Sequence, residues 1–471
     1  MKSENLELSL KNKFEALYEK NKEILFKNDT PVLANIREKA FDHFRSLGFP
    51  DQSLEDWRNT NLSDALTKPY HMYFEPTYDK NIDLEHIFKC EIPHFNTKKL
   101  PQLNGWYISK GIPLDELPDG VIYGSLAEAI HKYPDLIEKY YSKYADTSKN
   151  GFDALNTAFA QDGVFIYVPD NVKIKKPVQM VSIINLDENI FVHIRNLIIL
   201  GKNSSLTLVH CDDSIDQRIS FTNSLTEIHV GENAQIDHYK LQNKNNKSTL
   251  INTIYFNQEN NSRVTSNAIT LNGGIIRNDT HVCLNGEGSE SNIYGIYLVD
   301  KDQHVDNQVY IDHAKPNTYS NELFKGILDD YASAVFNGHV LVRRNAQKIN
   351  AFQNNKNILL TDKAKINTKP FLEIYADDVK CSHGATVGQL DDDAMFYIRS
   401  RGISEENARL LLMYAFAAEV INKISIDALR NRIDDMVKKR LRGELSICDQ
   451  CVLHCSQKEK PVVFEIDMSK I

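Results

Sequence analysis

The stretch Gly201-Lys-Asn-Ser-Ser-Leu-Thr-Leu208 decides the fold, because its layout of a polar turn followed by strand formers recurs along the chain. Gly231 and Gly288 begin similar stretches, and Asp330 and Asp362 begin looser ones. The first two copies start 30 residues apart and the last two start 32 residues apart. Such a period, with strands and no intervening helices, is typical of a solenoid of β-coils. An antiparallel sandwich would instead need Asn-Gly or Asp-Gly turns at regular short intervals, and they do not recur in that way.

The hydrophobic pattern of the chain changes along its length and predicts four regions. Residues 1–150 are predicted to be a mainly helical N-terminal region, and residues 151–388 a β-helix core with strand-like runs such as Val164-Phe-Ile-Tyr-Val168. Residues 389–445 are predicted to form a C-terminal helical domain, and residues 446–471 a cysteine-containing tail. The predicted fold class is therefore mainly β, with helices flanking the core on both sides.

Helix boundaries in the flanking regions follow from capping residues. Thr30 followed by Pro31 predicts the start of a helix that Gly48 ends. Pro134 is expected to kink or divide a helical stretch around residues 125–144.

The C-terminal region shows the same kind of signal. The acidic run 391–393 is interpreted as the first turn of a short helix rather than a metal site, because Arg399 and Arg401 follow at its end. Ser404 is expected to cap a longer helix, and Gly443 to follow the end of a further one. The basic last turn of that further helix, which includes Arg440, is expected to be solvated and to complement the helix dipole. The two amphipathic helices would either pack on the core or dock a partner.

Composition excludes several classes of protein. A net charge of -9 and a pI of about 5.9 give no electrostatic footprint for nucleic acid or an anionic membrane. The first ten residues lack the apolar core of a signal peptide, and no run approaches the length of a membrane helix. Seven cysteines, unevenly spread, favour reduced thiols over a disulfide framework. The expected location is the cytoplasm.

The densest set of candidate ligands in the core lies in Leu372-Glu-Ile-Tyr-Ala-Asp-Asp-Val-Lys-Cys-Ser-His-Gly-Ala-Thr-Val-Gly388. On an extended strand, Cys381 and His383 would project from one face and Ser382 from the other. A thiolate and an imidazole on one face can bind a metal or form a nucleophile–base couple. The alternative is structural: a small buried cysteine and a hydrogen-bonded histidine. Metal binding is the better functional reading, although two ligands do not complete a four-ligand site.

The tail contains a second set of possible ligands. Cys448, Cys451 and Cys455 lie within eight residues, with His454 among them. This is metal-ligand chemistry by residue type, but no second pair follows. The alternative is a terminus whose thiols are incidental. The remaining cysteines, at positions 90, 211 and 283, stand alone and are expected to fill the core or turns.

The run Cys381-Ser-His-Gly-Ala-Thr-Val-Gly388 resembles the C-terminal signature of SufD, in the SufB/SufD family of iron–sulfur cluster assembly proteins. Ala351-Phe-Gln-Asn-Asn-Lys-Asn-Ile-Leu-Leu360 and Asn321-Glu-Leu-Phe-Lys-Gly-Ile-Leu328 are similar to the same family's core. Leu155-Asn-Thr-Ala-Phe-Ala-Gln-Asp-Gly163 resembles a segment that SufD shares with SufB. The resemblance runs from about residue 46 to about residue 445, and it implies a right-handed parallel β-helix.

The resemblance also implies a function. It predicts a non-catalytic scaffold subunit that pairs with a SufB-like subunit through the β-helix and receives a SufC-like ATPase on the helices after Ile403. It places a cluster ligand on His383, with Cys381 beside it, and implies a transient iron or iron–sulfur cluster at the subunit interface. A homodimer is the expected alternative when the chain is alone.

Other functions are less consistent with the sequence. The chain has no Gly-x-x-x-x-Gly-Lys-Ser/Thr loop, so it is not expected to bind nucleotide, and no nucleophile elbow is evident. One competing hypothesis is a β-helical carbohydrate-active enzyme, which the missing signal peptide disfavours. The other is an interaction protein in which Cys381 and His383 only pack.

Overall fold

The computed structural model describes residues 2–27, 29–77, 88, 95–109, 111–214 and 217–443, with side chains from residue 9 onward. Its helices flank a long β-domain. In chain order they are α1 (Lys2–Phe26), α2 (Pro31–Leu47), α3 (Ser63–Leu66), α4 (Leu126–Lys132), α5 (Pro134–Tyr140), α6 (Gly151–Phe159), α7 (Asp392–Arg399), α8 (Glu405–Ile421) and α9 (Asp427–Leu441). A short 3₁₀ helix spans Glu55–Trp57.

The strands begin in the N-terminal region and continue to residue 388. They are β1 (Lys98–Leu103), β2 (Trp106–Tyr107), β3 (Leu114–Glu116), β4 (Ile122–Ser125), β5 (Val164–Val168), β6 (Val178–Ile184), β7 (Ile190–Leu200), β8 (Ser205–Ser214), β9 (Ser220–Val230), β10 (Gln235–Asn243), β11 (Thr249–Gln258), β12 (Arg263–Asn272), β13 (Ile275–Leu284), β14 (Glu290–Val299), β15 (His304–His313), β16 (Tyr319–Leu328), β17 (Ser333–Val342), β18 (Ile349–Leu359), β19 (Lys365–Ile374) and β20 (Val379–Gly388).

These strands form two long sheets, one mainly from the even-numbered strands, with β1 among them, and one mainly from the odd-numbered strands, with β4 among them. From β5 onward each strand pairs in parallel with the strand two places further along, so the chain alternates between the sheets and advances one coil with every two strands. This is the parallel β-helix that the period of about 30 residues predicted, and that prediction is confirmed.

The turns between coils explain why the repeat is visible in the sequence. Asn203 and Asn233 adopt positive φ of 55°, a conformation that asparagine tolerates better than most residues. The side-chain amide of Asn233 donates to Asn203 at 3.1 Å, and that of Asn203 donates to Asn171 at 2.8 Å. Equivalent turns of the early coils therefore stack on one another, with asparagine repeated at the same place.

The space between the two sheets is filled by inward-facing side chains of alternating strand positions. One apolar cluster runs along this interior, from Leu100 and Val164 near the beginning to Val340 and Ala351 near the end. Beside it the interior also contains fully buried polar groups, among them Lys240, Glu322 and Gln353. The two outer faces are covered separately.

The N-terminal region covers the first coils from outside. Phe14, Phe41 and Phe44 of its helices pack with Phe191 and Phe221 on the outer face of the odd-numbered sheet. The helix boundaries confirm the predicted caps: Thr30 accepts a hydrogen bond from the Leu33 amide, and Pro134 starts a second helix after α4.

Two elements in this part of the chain were not predicted. Strand β1 pairs in parallel with β6, so the even-numbered sheet begins about fifty residues before the predicted start of the core. Residues 151–159, expected to lie in β-rich chain, form helix α6, which is buried along its whole length. The Asn156 side-chain amide donates to the carbonyl oxygens of Ile194 and Asn223, which fixes α6 to two neighbouring strands.

The C-terminal helices cover the outer face of the even-numbered sheet. Met413, Ala417 and Ile433 pack against outward-facing strand residues such as Tyr239 and Ile296. The predicted caps of α7 and α8 are present, with Asp391 and Ser404 accepting amide hydrogen bonds.

The basic end of α9 is more than a solvated cluster. Arg440, expected with its basic neighbours to complement the helix dipole, is instead buried. Its guanidinium donates to the Leu271 carbonyl oxygen at 2.8 Å and to Asp300 at 2.7 Å. Arg440 therefore attaches α9 to the solenoid.

Candidate functional site

Cys381 and His383 lie on β20, the last strand of the even-numbered sheet. In the parallel register with β18, Cys381 is next to Ala351 and His383 is next to Gln353. Ala351 and Gln353 are both buried on the inner side of the sheet, and in-register neighbours project from the same face. The extended segment predicted around the Cys-Ser-His run is therefore present, and both candidate ligands project from the lumen side.

The two candidate ligands differ in environment. Cys381 is half-buried and packs against the interior cluster, and burial raises the pKa of its thiol. His383 is exposed. It lies on the lumen side without being enclosed, because no described strand follows β20 in the sheet. The imidazole is therefore accessible at the open end of the solenoid, while the thiol needs a cation beside it to favour its thiolate form.

The site is incomplete on its own. Within the part of the chain that the structure describes, no group of three or more His, Cys, Asp or Glu residues is arranged to hold a metal ion. Cys381 and His383 thus supply at most part of a coordination sphere.

The last coil leaves both sheet edges uncovered by any described strand. Four large apolar side chains are exposed on it: Phe371, Ile374, Tyr375 and Val387. A free strand edge of ten residues presents unpaired backbone N–H and C=O groups, which are a ready template for another chain. The site therefore lies on a surface suited to pairing.

A groove of about 670 Å³ opens between the last coil and the C-terminal helices. Leu390 and Met395 line it, and α7 beside it has no buried residue. Phe396 is 76% exposed and Tyr397 is 59% exposed, with the Arg401 guanidinium 3.4 Å from the Tyr397 ring centre. An amphipathic helix with its aromatic side chains in solvent is a typical docking element.

A second groove, of about 1020 Å³, lies elsewhere, on the outer face of the odd-numbered sheet. One wall is an aromatic ladder across successive strands: Tyr255, His281, Tyr310, His339 and Phe371. Several charged groups in this groove are paired with one another or with a neighbour.

Arg277 shows this most clearly. Its guanidinium binds Asp279 and Asp306, and it stacks on Trp57 at 3.6 Å from the ring centre. Trp57 is itself buried and packs with the apolar cluster of the N-terminal region. The carboxylates of Asp279 and Asp306 are therefore both held by one buried arginine.

The other cysteines add no described site. Cys211 is buried in the cluster beneath the C-terminal helices. Cys283 is half-buried in the large groove, and burial raises the pKa of its thiol to about 11. Cys90, Cys448, Cys451 and Cys455 lie outside the described residues.

Sequence reasoning missed two polar residues beside the site. Gln353 and Glu322 occupy the same register position as His383 in the two preceding coils of the sheet. Both are fully buried, and the Gln353 amide donates to Glu322 at 2.9 Å. Both residues occupy alternating positions of strand-like runs, which could have indicated that they face inward. This pattern predicts that a side chain is buried, but it does not predict which residue it contacts.

Fold and site together define a class: an elongated β-solenoid that presents a cysteine and a histidine, as candidate ligands, at an open end. The chain belongs to the SufBD family of iron–sulfur cluster assembly proteins. The SufBD core domain of the iron–sulfur cluster assembly SUF system matches residues 183–416, and the SufBD N-terminal region matches residues 8–180.

Individual relatives agree with this assignment. The chain is 31% identical over 418 residues to an iron–sulfur cluster assembly SufBD family protein of Synechocystis, covering 87% of this chain and 91% of the relative. It is 33% identical over 294 residues to the iron–sulfur cluster assembly protein SufD of Escherichia coli, covering 61% of this chain and 69% of the relative. It is 26% identical over 423 residues to SufD of Bacillus subtilis, covering 87% and 94%. The resemblance to SufD and its family is therefore confirmed.

None of the described helices has both the length and the apolar character needed to cross a membrane.

Proposed function

We propose that this protein is a non-catalytic scaffold subunit for iron–sulfur cluster assembly, which pairs with a SufB-like subunit through the open end of its β-helix. His383 would contribute an imidazole ligand to iron or a nascent cluster at that junction, with Cys381 beside it. The observation that carries the proposal is the exposure of His383 on a terminal strand with a free edge, in a solenoid whose earlier coils enclose their inward-facing side chains.

The chemistry of the two residues suits a transient cargo. An imidazole on one subunit and a thiolate on the other form a mixed site, which holds iron less tightly than four thiolates do. Ligands shared between two chains also separate when the chains move apart. A scaffold has to release what it assembles, so a divided coordination sphere is an advantage.

The helical segment 389–445 is proposed to receive the SufC-like ATPase, on the helices after Ile403. Support comes from the groove at the start of α8, which Ile403 and Arg409 line, and from the exposed aromatic pair Phe396 and Tyr397 on α7 beside it. The described face of α8 and α9 that contacts the solenoid is already occupied, which leaves the opposite face for a partner. Pairing of the open edge with a second copy of this chain is proposed for the isolated protein.

A separate proposal concerns metal binding by the tail. Cys448, Cys451 and Cys455 would bind a metal ion as thiolates. Measuring zinc and iron in the isolated chain, with and without a triple Cys→Ser replacement at these positions, tests it. Equal metal content in both proteins would contradict the proposal.

The test of the main proposal is replacement of His383 in the complex co-expressed with SufB-like and SufC-like partners. His383→Ala should lower iron and acid-labile sulfide several-fold while leaving the subunit composition unchanged. Ser382→Ala is the matched control, because Ser382 projects from the other face of the same strand. Unchanged iron and sulfide in the His383 variant would refute the ligand role, and failure of the partners to co-purify with the unmodified chain would refute the pairing.

A further inference from the structure

A buried polar column leads along the lumen to His383. Glu322, Gln353 and His383 are register neighbours on three successive strands of the even-numbered sheet. Adjacent strands lie about 4.8 Å apart, so side chains at one register position are within reach of each other. Glu322 and Gln353 are fully buried, and His383 is at the open end.

The orientation of the Gln353 carboxamide is fixed from one side. Its nitrogen donates to a Glu322 carboxyl oxygen at 2.9 Å. Its carbonyl oxygen is buried and accepts no hydrogen bond from any described residue. Leaving a buried amide oxygen without a partner costs free energy of folding, so this atom is expected to have a partner in the working protein.

The structure also makes room for this side chain. Gly338, on β17 across the lumen, has no side chain, and a Cβ atom there would lie 1.9 Å from the Gln353 amide nitrogen. A glycine at this place lets the carboxamide extend across the lumen. The column is therefore supported from a second, independent element.

We propose that Gln353 is a positioning residue for His383: its carbonyl oxygen accepts a hydrogen bond from one ring N–H and thereby fixes the tautomer of the imidazole. The other ring nitrogen is then unprotonated and directed away from the column, toward the open end. Histidines that bind metals depend on such a partner, which sets both ring orientation and tautomer. This inference rests on the proposed function, because it assigns the free nitrogen to iron or a cluster.

The direct test is nuclear magnetic resonance of the isolated chain labelled with ¹⁵N only in histidine. The chain has 15 histidines, and loss of one signal set in His383→Ala assigns His383. The unmodified protein should show a single neutral tautomer for His383. Gln353→Met, which keeps the length of the side chain but removes the acceptor, should show both tautomers in exchange.

Glycine variants provide a second route that keeps every group of the column. Gly338→Ala should displace the carboxamide and also give mixed tautomers, even if Gln353→Met folds poorly. Gly388→Ala is its control, because a Cβ atom there meets nothing within 4 Å. A mixed tautomer in the unmodified protein, or a single tautomer retained in both Gln353→Met and Gly338→Ala, overturns the proposal.

The complex supplies a readout that a purely structural role would not give. Gln353→Met should lower cluster content in the same direction as His383→Ala, and the double variant should be no lower than His383→Ala alone. Additive losses would overturn the positioning role, because they would show that the two residues act separately. If tautomers change as expected but His383→Ala leaves cluster content intact, the contact stands and the proposed ligand function fails.

Discussion

Glu322 is a buried acid whose titration should be visible in the stability of the whole protein. Burial raises its pKa from 4.5 to about 8, and the hydrogen bond from Gln353 offsets only part of this effect. In the unfolded chain the carboxyl group regains an ordinary pKa. The folded state therefore holds a proton that the unfolded state has released at every pH between these two values.

The sign of the effect follows from this difference. The stabilising contribution of protonated Glu322 is complete below pH 4.5 and is lost as the pH rises to about 8. A displacement of this size corresponds to about 5 kcal/mol as an upper bound. In Glu322→Gln the new side chain cannot ionise, but its oxygen can still accept the hydrogen bond from Gln353. The stability of this variant relative to the unmodified protein should therefore increase from pH 5 to pH 9.

The assay is unfolding by urea, followed by circular dichroism, for both proteins at pH 5, 7 and 9. We expect the difference in urea midpoint between Glu322→Gln and the unmodified protein to be largest at pH 9, in favour of the variant. Glu138→Gln, at an exposed position of α5, is the control and should run parallel to the unmodified protein. Parallel pH profiles for Glu322→Gln and the unmodified protein would refute the assignment of a buried, protonated carboxyl group in the lumen.

Two further predictions concern packing. Gly163→Ala would place a Cβ atom 1.5 Å from the backbone carbonyl oxygen of Arg195, so this variant should fail to accumulate in folded form. Gly388→Ala is the control and should leave yield and melting temperature unchanged, because a Cβ atom there meets nothing within 4 Å. A normal yield and melting temperature for Gly163→Ala would contradict this prediction. Arg440→Met removes the hydrogen bonds that attach α9 to the solenoid, so amide hydrogen exchange should become at least tenfold faster in α9 and stay unchanged in the strands. Exchange that is unchanged in α9 would show that apolar packing alone holds the helix.

Much of the fold could be predicted because local and global signals agree in this chain. The turn at Asn203 recurs as a sequence pattern because each coil stacks its turn on the previous one. Strand β5 coincides with the predicted run Val164–Val168, because a buried strand needs a short, continuous apolar segment that is visible in the sequence. Caps such as Thr30 and Ser404 are local chemistry and need no knowledge of the fold.

What could not be predicted depends on distant partners. Strand β1 is short and contains Pro101 and two lysines, so its sequence does not indicate that it pairs with β6. Helix α6 is only nine residues long and is buried on all sides, so it has no solvent-facing polar side to mark it as a helix. The burial of Arg440 likewise depends on Asp300, 140 positions away in the chain.

The candidate site was predicted in part. Residue types and strand spacing identified Cys381 and His383 as one set, and the structure places them on one strand at the open end. The column of Glu322, Gln353 and His383 escaped notice because the three residues are about 30 positions apart and become neighbours only through the register of the coils. Spacing along the chain cannot reveal such a contact until the length of each coil is known.

The central claim is that the His383 imidazole is a ligand of the cluster. It is tested most directly by the hyperfine coupling between ¹⁵N nuclei and the electron spin of an assembled, reduced cluster. The complex would be reconstituted with ¹⁵N-histidine in this chain alone and examined by pulsed electron paramagnetic resonance. We predict a ¹⁵N coupling typical of a ligating imidazole, which disappears in His383→Ala. A cluster that forms with normal yield and shows no such coupling would contradict the account.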